Sequence, residues 1–351
     1  MHHPVLAIGP ANYAGQANAW AQAVNRRGAS RAWSFSVSSR GGFQFPADRL
    51  IGRKAYRNPL LRGWRAQRLL RGATHVALDG FKPFFHLRAR GKFAGDVEQL
   101  RRAGYAVALI AHGSDVRSPE AHMEREEWSY YKEGSASWRE ALGSQAAQAR
   151  RIAESSGLPV FFSTPDLAFD LPMGSWLPVC LDPSQWSCEE PLLERRRPRV
   201  LHLPSRRTPP IKGSQYVEPV LEELDRQGRI EYVRSGAVPH EQMVALVHSV
   251  DVVVDQVLSG YYGVAAVEAM AAGRVVVGNL SSDVAAKMPA SPLLAHANPA
   301  TLTDVLLKVL DERDEWRERA RLNVEFVHRW HDGTESARRL SRFLGVDASE
   351  Q

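Results

Sequence analysis

Short β-branched or aromatic runs alternate with segments of helical period along nearly the whole chain. This alternation is the pattern of βαβ units, in which helices cover a parallel sheet. A first series predicts strands at Pro4–Ile8, Ala32–Ser36, His75–Leu78, Ala106–Ile110 and Pro159–Phe162. A second series predicts strands at Val200–Leu203, Ile230–Val233, Val252–Val254 and Val275–Val277. We therefore expect an α/β protein with two doubly wound halves.

The boundary between the halves is predicted where both periodicities break down. Four prolines between Pro178 and Pro198, together with a charged run at 194–197, favour a linker. A chain of 351 residues also exceeds what one hydrophobic core usually supports. The predicted division is a first domain at residues 1–178, a linker at 179–198, a second domain at 199–330, and a C-terminal helix at 331–351 that packs back on the first domain.

Composition excludes several classes of protein. Apolar residues make up 44% and charged residues 24%, which is typical of a globular protein and excludes a wholly disordered or collagenous chain. The two cysteines, Cys180 and Cys188, are too few for a disulfide framework and match no zinc-site spacing, which favours a reducing compartment. The sequence has no signal-peptide pattern and no run of ~20 apolar residues. We therefore expect a cytoplasmic protein that is at most peripheral to a membrane.

Positive charge is concentrated near the start of the chain. Residues 1–78 contain twelve basic residues and one acidic residue, whereas the whole chain has a net charge of +6. A basic amphipathic segment at 53–71 contains Arg53, Lys54, Arg57, Arg62, Arg65, Arg68 and Arg71 among Leu60, Leu61, Trp64, Leu69 and Leu70. Such segments bind anionic membrane surfaces, and a solvated helix of an arginine-rich protein is the alternative. Nucleic acid is not an expected partner, because no recognised binding module is present.

Basic residues follow the first strand of the second series. The loop after Val200–Leu203 contains Arg206, Arg207 and Lys212, and Lys212-Gly213 leads into a predicted helix. Cations beside a helix N-terminus offer a diphosphate both charge and free backbone N–H groups. The loop is therefore a candidate phosphate site, with a solvated basic loop as the alternative.

A second candidate region runs from Asp255 to Gly273. Gly260 and Gly263 can adopt positive φ or allow close approach of a ligand, and they flank Tyr261-Tyr262. A helix beginning near Val264 would point its N-terminus at that ligand. Glu268 is an isolated carboxylate on this otherwise apolar helix, which favours a hydrogen-bonding role, for example with two ribose hydroxyls, over a solvated one.

The first half carries two weaker motifs, each directly after a predicted strand. The sequence His112-Gly113-Ser114-Asp115-Val116-Arg117 follows the strand Ala106–Ile110, where a ligand-facing histidine and a structural histidine are both plausible. Asp115 and Arg117 could also pair with one another or cap the next turn. The first strand is followed by a loop that contains Asn12 and Gly15.

These motifs together resemble those of the retaining GT-B glycosyltransferases of glycosyltransferase family 4. Arg207 and Lys212-Gly213 match the family's diphosphate-binding pair in spacing, and 268–273 matches its Glu-Ala-Met-Ala-x-Gly motif, whose Glu binds the donor ribose. His112-Gly113-Ser114-Asp115 is similar to a first-domain motif whose His lies at the donor sugar. The loop containing Asn12 and Gly15 resembles one that lies close to the acceptor and the donor phosphate.

The resemblance departs from the family pattern at one position. The family commonly has another Glu eight positions before the last one, placed near the donor sugar, and this chain has Gly260 there. The surrounding residues resemble a sub-pattern that lacks this Glu. The missing carboxylate leaves the sugar and the class of donor open.

The resemblance implies a complete fold and a set of roles. The fold would be GT-B, with two Rossmann-like domains facing a central cleft and helices at the C-terminus. Catalytic roles would fall to His112, Arg207 and Lys212; donor binding to Gly15, Arg206, Arg207, Lys212, Gly260, Tyr261, Tyr262, Gly263, Val264 and Glu268; and acceptor contacts to Asn12, Asp115 and Arg117.

The expected function is transfer of a sugar from a nucleoside-diphosphate donor to an acceptor, with retention and without a metal ion or another cofactor. The acceptor would be a small molecule or a membrane-associated glycan or lipid. Two alternatives stay open. One is a non-catalytic GT-B protein that binds nucleotides or a partner, and the other is a nucleotide-sugar epimerase.

Overall fold

The chain divides into two units, each built around its own parallel sheet. A computed structural model describes residues 3–37, 45–52, 54, 56, 58–84, 93–204, 208–209, 211–234 and 238–346. The first unit comprises residues 1–117, 145–180 and 333–351, and the second comprises residues 118–144 and 181–332.

The sheet of the first unit has seven strands. They are β1 (Val5–Pro10), β2 (Arg31–Val37), β3 (Arg49–Ile51), β4 (His75–Asp79), β5 (Ala106–Ala111), β6 (Val160–Phe162) and β7 (Ser175–Trp176). All pairs are parallel, and the strand order is β3-β2-β1-β4-β5-β6-β7. Its central strands β1, β4 and β5 are mostly apolar and are buried after their first residue, as in sheets with helices on both faces.

The sheet of the second unit has five strands. They are β8 (Arg199–His202), β9 (Glu231–Val233), β10 (Val252–Val254), β11 (Val275–Gly278) and β12 (Ala295–His296). These pairs are also parallel, in the order β12-β11-β10-β8-β9.

Helices follow most strands, as the alternating pattern predicts. Those described are α1 (Gln16–Arg27), α2 (Pro59–Leu70), α3 (Phe93–Arg102), α4 (Pro119–Arg125), α5 (Ala136–Ser156), α6 (Pro183–Trp186), α7 (Ser214–Arg226), α8 (His240–His248), α9 (Val264–Ala271), α10 (Ser282–Ala285), α11 (Leu302–Asp311), α12 (Arg313–Trp330) and α13 (Thr334–Leu344). Helix α13 belongs to the first unit, where Leu340 and Leu344 join the hydrophobic cluster around Trp20 of α1.

The predicted α/β class and all nine predicted strands are confirmed, with ends that differ by at most two residues. Sequence reasoning missed β3, β7 and β12, which have two or three residues each and lie at sheet edges. With only one or two apolar residues each, these strands carry too few apolar positions for a period to be recognised.

The segment at 118–144 differs from the predicted division, which placed all of residues 1–178 in one domain. It packs with the second unit, because Tyr130 and Tyr131 are buried in the same hydrophobic cluster as Val217 and Leu258. The Tyr130 N–H also donates a hydrogen bond to the Leu258 carbonyl at 3.0 Å. The break near residue 180 falls inside the predicted linker.

None of the helices in the described part of the chain combines the length and apolar character needed to span a bilayer.

Candidate functional site

Both sheets reverse their strand order beside the first strand of the unit. The reversal lies between β1 and β4 in the first unit and between β8 and β10 in the second. Open α/β sheets bind ligands beyond the carboxyl ends of their strands at such switch points. The predicted site residues lie in the loops that follow β1, β5, β8 and β10, so each unit presents its candidates near its own switch point.

Lys212 lies in the loop between β8 and α7, directly before Gly213. Its Nζ is 2.7 Å from Asp255 Oδ1, and Asp255 is the first residue after β10. Both side chains are largely buried, so the ion pair connects the two loops of the switch point. The Lys212 ammonium group has three N–H donors, and its ion pair with Asp255 involves one carboxylate oxygen.

Gly213 shapes the turn that carries Lys212 into α7. Its φ is +79°, and a Cβ at this position would lie 2.5 Å from Cγ2 of Val257. The Lys212 carbonyl also accepts a hydrogen bond from the Val257 N–H at 3.3 Å. Only glycine allows the two loops to approach this closely, which explains the Lys-Gly pair on physical grounds.

His202 ends β8 and is fully enclosed by the second unit. Its Nδ1 is 2.9 Å from the Val254 carbonyl, and its Nε2 is 2.9 Å from Oγ of Ser214. Burial lowers the pKa of His202 to about 4, so the ring is neutral, with Nδ1–H donating to Val254 and Nε2 accepting from Ser214. The ring therefore ties β8 to β10 and to the start of α7.

The loop from Gly260 to Gly263 leads into α9. Of the two alternatives that the sequence left open for these glycines, Gly260 adopts positive φ, at +69°, whereas Gly263 does not, with a φ of −116°. A Cβ at Gly263 would meet only Nε2 of Gln256, at 3.5 Å. Gly263 is the N-cap of α9, which begins at Val264, and among the described residues no side chain caps the first N–H groups of this helix. These N–H groups and the helix dipole are suited to an anion.

The two tyrosines of this loop face the interior of the second unit. Tyr262 Oη is 3.1 Å from Nε2 of His331, its ring packs edge-on against Phe326, and burial raises its pKa. Tyr261 is also buried, and its carbonyl accepts a hydrogen bond from Nε2 of Gln256 at 2.8 Å. The loop backbone, rather than the Tyr262 ring, is therefore what a ligand could contact.

Glu268 lies on α9, one turn beyond its start, and is only 9% exposed. The helix residues on either side of it are buried as well, which agrees with the predicted environment of this carboxylate. Its assignment to a ribose stays a prediction. The assigned roles of Arg206 and Arg207 likewise stay predictions, because both residues lie outside the described part of the chain.

In the first unit, the fully buried Asp79 connects the loops that follow β1 and β5. Its Oδ1 accepts a hydrogen bond from the Ala11 N–H at 2.6 Å, and its Oδ2 accepts one from the Asn12 N–H at 2.7 Å. Oδ2 also lies 3.4 Å from Nε2 of His112. Asp79 ends β4, the strand between β1 and β5. Sequence reasoning did not single it out, although its place at a strand end was a usable signal.

The ring of His112 is held between two aromatic side chains. Trp20 stacks on it with ring centroids 5.6 Å apart, and Tyr13 meets it edge-on at 5.1 Å. Asp115 accepts hydrogen bonds from the backbone N–H groups of His112 and Gly113, so its carboxylate caps the turn after β5. His112 is thus fixed in position at the switch point of the first unit.

The loop after β1 has an unusual backbone that several contacts hold. Asn12 and Gly15 both have positive φ, of 46° and 73°. The Asn12 amide donates to the Pro46 carbonyl at 2.9 Å, and its Oδ1 accepts from the Asn18 N–H at 3.2 Å. The side chain of Asn12 therefore shapes this loop, and Gly15 caps α1.

Arg117 is not paired with Asp115, as one sequence-based alternative had it. Its Nε donates to Asp166 Oδ2 at 2.6 Å, and both side chains are buried. The Arg117 guanidinium is paired with a buried carboxylate and therefore stabilises the fold of the first unit. This ion pair explains how a charged residue in this motif can be buried.

Within the described ranges, no group of three His, Cys, Asp or Glu side chains is arranged to hold a metal ion.

Comparisons with known proteins identify the fold. No protein-family model matches the chain, and no curated protein is detectably similar in sequence. Among solved structures, sucrose-phosphate synthase from Thermosynechococcus elongatus has a TM-score of 0.60 at 13% identity, covering 97% of this chain and 98% of that one. HepE from Anabaena, solved with UDP and glucose, has a TM-score of 0.57 at 12% identity, covering 98% and 100%.

A third similar structure is WaaG, a glycosyltransferase involved in lipopolysaccharide biosynthesis. Its TM-score is 0.53 at 13% identity, covering 96% of this chain and 99% of WaaG. These likenesses span essentially the whole chain on both sides. The two parallel Rossmann-like sheets thus belong to the GT-B fold.

Proposed function

We propose that this protein is a glycosyltransferase that moves a sugar from a nucleoside-diphosphate donor to an acceptor. The observation that carries the proposal is the switch point of the second unit. There the buried Lys212 and the turn at Gly213 contact Asp255 and Val257 in the loop after β10, and the same loop leads on to the N-terminus of α9, where no described side chain caps the helix. An ammonium group together with free helix N–H groups is an arrangement suited to a diphosphate.

UDP and UDP-glucose are the first donors to test. HepE, which is similar over the whole chain, was solved with UDP and glucose and also with UDP-glucose. The same fold and the independent phosphate-site geometry of this chain support a nucleotide-sugar donor here. The base and the sugar are to be identified by experiment.

The proposed chemistry stabilises the leaving nucleoside diphosphate. Lys212 and the N–H groups at the start of α9 would offset the negative charge that develops as the bond to the sugar breaks. Arg206 and Arg207 are proposed to contribute from the same loop as Lys212. Each donor aimed at this charge could contribute about 2.7–4 kcal/mol, by analogy with the deletion of oxyanion-hole groups. We propose that transfer occurs with retention of configuration and without a metal ion.

The first unit is proposed to receive the acceptor. His112, fixed by Trp20, Tyr13 and Asp79, is the side chain that we propose to act at the sugar. The backbone turn capped by Asp115 would lie beside it. The exposed Trp64, Arg65 and Arg68 of α2 support a proposed contact with an anionic membrane, which would bring a lipid-linked acceptor close.

Thermal unfolding with a panel of ligands tests the donor assignment. A ligand that binds the folded state raises the melting temperature, and at about 100 times its Kd the stabilisation is about 2.7 kcal/mol. We expect UDP and UDP-glucose to raise it, with other nucleoside diphosphates and their sugars as comparisons. If none of them shifts the melting temperature, the proposed donor site is wrong.

Product analysis separates the proposed activity from its two alternatives. Release of the nucleoside diphosphate with transfer or hydrolysis of the sugar supports a glycosyltransferase, and the anomeric configuration of the product tests retention. Binding without any turnover across several acceptors would favour a non-catalytic protein. Isomerised sugar still attached to the diphosphate would favour an epimerase.

A further inference from the structure

The space that a side chain at position 260 would fill is already occupied by a carboxylate from another part of the chain. A Cβ built on Gly260 would lie 2.5 Å from Cδ of Glu126 and 2.5–2.6 Å from its two oxygens. Glu126 and Gly260 both belong to the second unit. The absence of a carboxylate at position 260 in the sequence is therefore matched by the presence of one at the same place in the structure.

The segment that carries Glu126 is fastened to the loop on both sides of it. His122 Nε2 is 3.0 Å from the Ser259 carbonyl, and the Tyr130 N–H donates to the Leu258 carbonyl at 3.0 Å. Glu126 itself follows α4, and its N–H donates to the His122 carbonyl at 2.8 Å. Contacts at 258, 259 and 260 thus hold this segment in register with the loop that leads into α9.

The Glu126 carboxylate retains hydrogen-bonding capacity. It is buried, with the residue 4% exposed, and Oε1 accepts a hydrogen bond from Ser281 Oγ at 2.9 Å and one from Arg125 Nε at 3.3 Å. Among the described residues, none donates a hydrogen bond to Oε2. An ionised carboxylate has about four acceptor sites, and buried polar groups are nearly always satisfied. An acceptor of this kind is suited to a ligand hydroxyl.

The carboxylate at Gly260 lies close along the chain to the proposed phosphate site. Gly260 is three residues before Gly263, the N-cap of α9, so the chain separates them by at most about 11 Å. A diphosphate at the start of α9 would extend its sugar over a distance of this order. The carboxylate at Gly260 is therefore within reach of a sugar carried by that diphosphate.

We infer that Glu126 accepts a hydrogen bond from the sugar of the nucleotide-sugar donor, from the place where a side chain at position 260 would otherwise lie. This inference rests on the proposed function. Glu126 lies outside every motif that the sequence suggested. It belongs to the segment at 118–144, which is part of the second unit although the chain before and after it is part of the first.

The test compares binding of UDP with binding of UDP-glucose, because only the second ligand carries the sugar. Glu126→Gln keeps the shape of the side chain and an oxygen for Ser281, and it removes the charge. Loss of a charge-assisted hydrogen bond is expected to weaken UDP-glucose binding about 10- to 100-fold, while the Kd for UDP stays unchanged. Glu127→Gln, which neutralises the adjacent exposed carboxylate, and Ser281→Ala, which removes one contact of Glu126, are the controls.

Each outcome decides the inference. Selective weakening of UDP-glucose in Glu126→Gln, with both ligands unaffected in Glu127→Gln, supports it. Equal affinities in wild type and Glu126→Gln overturn it, as does an equal loss for both ligands in Glu126→Gln and in Ser281→Ala, because that result assigns Glu126 to holding the loop. If the wild-type protein binds neither UDP nor UDP-glucose, the same comparison is made with the nucleoside diphosphate and nucleotide sugar that the ligand panel identifies. If the panel identifies none, the proposed donor site fails first, and the inference is overturned with it.

Discussion

At the scale of single residues, the second unit depends on a glycine whose backbone conformation and surroundings both exclude a side chain. Gly213 combines positive φ with the close approach of Val257. Gly228 provides a comparison, because its φ is +71° and a Cβ there would meet nothing within 4 Å. The two positions therefore share the backbone strain and differ in the steric clash.

We expect Gly213→Ala to destabilise the protein more than Gly228→Ala. Both variants should lose about 1–2 kcal/mol to the left-handed conformation, and Gly213→Ala should lose about 1–3 kcal/mol more through overpacking against Val257. Melting temperatures of the two variants measure the difference. Equal shifts would mean that the loops between β8 and β10 separate easily, which would contradict the close approach described for Lys212 and Gly213.

The predicted and the missed site residues differ in whether their partners lie close in the sequence. Lys212-Gly213 and Glu268 lie in contiguous motifs whose chemistry is apparent from the sequence. Asp79 could have been found only by its place at a strand end, and it acts on Asn12, 67 residues away. Glu126 reaches Ser281 across 155 residues, and nothing local to either residue indicates this pairing.

At the scale of elements, His202 connects one strand end with a neighbouring strand and a helix start. Its ring donates to Val254 of β10 and accepts from Ser214 of α7, and the loop that carries Lys212 runs between His202 and Ser214. Protonating the ring would place a hydrogen on Nε2, where the lone pair now accepts from Ser214. The contacts between β8, β10 and α7 should therefore become less stable at acidic pH.

We expect this histidine to lower stability as pH falls from 6.5 towards 4. Burial lowers its pKa from 6.5 to about 4, so in this window the unfolded chain takes up a proton that the folded chain does not. Its contribution is complete above pH 6.5 and falls by about 3 kcal/mol as pH approaches 4. Lys212 nearby also lowers the pKa, whereas Asp255 raises it.

His202→Gln isolates this effect. The variant should be less stable than wild type near pH 7, and the gap in melting temperature should narrow at about pH 4.5 because only the wild type has the histidine to protonate. The burial-lowered pKa values of His75 and His296 are common to both proteins and cancel in the comparison. A gap that stays constant with pH would contradict a neutral, buried His202.

The order of strands and helices was predictable from the sequence, whereas the packing of the segment at 118–144 against the second unit was not. Most of the predicted strands are apolar runs in the interior of a sheet, which leave a clear signal, whereas the three missed strands, β3, β7 and β12, are edge strands of two or three residues. Tyr130 and Tyr131 are buried in the core of the second unit, and the sequence analysis did not single them out. Which sheet they pack with is decided by tertiary contacts, which the period of a sequence does not encode.

At the scale of the whole molecule, the uneven charge distribution matches the division into units. The basic segment at 53–71 lies in the first unit, and its helix α2 leaves Trp64 53% exposed, with the Arg68 guanidinium 4.9 Å from the Trp64 ring centroid. Leu50, on the edge strand β3, is 59% exposed. Arg53 and Arg57 lie outside the described residues. Exposed apolar and basic side chains on one helix are suited to an anionic lipid surface.

We expect the protein to sediment with vesicles that contain anionic lipid and not with neutral ones. The double variant Arg65→Ala/Arg68→Ala should bind about 30-fold more weakly, since each cation near the headgroups contributes about 1 kcal/mol. Arg226→Ala/Arg229→Ala removes two exposed arginines of the second unit and is the matched control. Equal losses in both double variants, or no vesicle binding at all, would leave α2 as a solvated helix and favour a soluble acceptor.

The donor site of the second unit is the central claim, and release of UDP from UDP-glucose by wild type and Lys212→Ala tests it most directly. We expect wild type to release UDP, Lys212→Ala to be slower by about 10²–10³-fold, in line with removal of one charge-stabilising donor, and Lys308→Ala on the exposed face of α11 to match wild type. Because Lys212→Ala removes the ion-pair partner of the buried Asp255, its melting temperature should fall, and the assay is run well below that temperature to exclude unfolding as the cause. UDP release by Lys212→Ala at the wild-type rate would contradict the account.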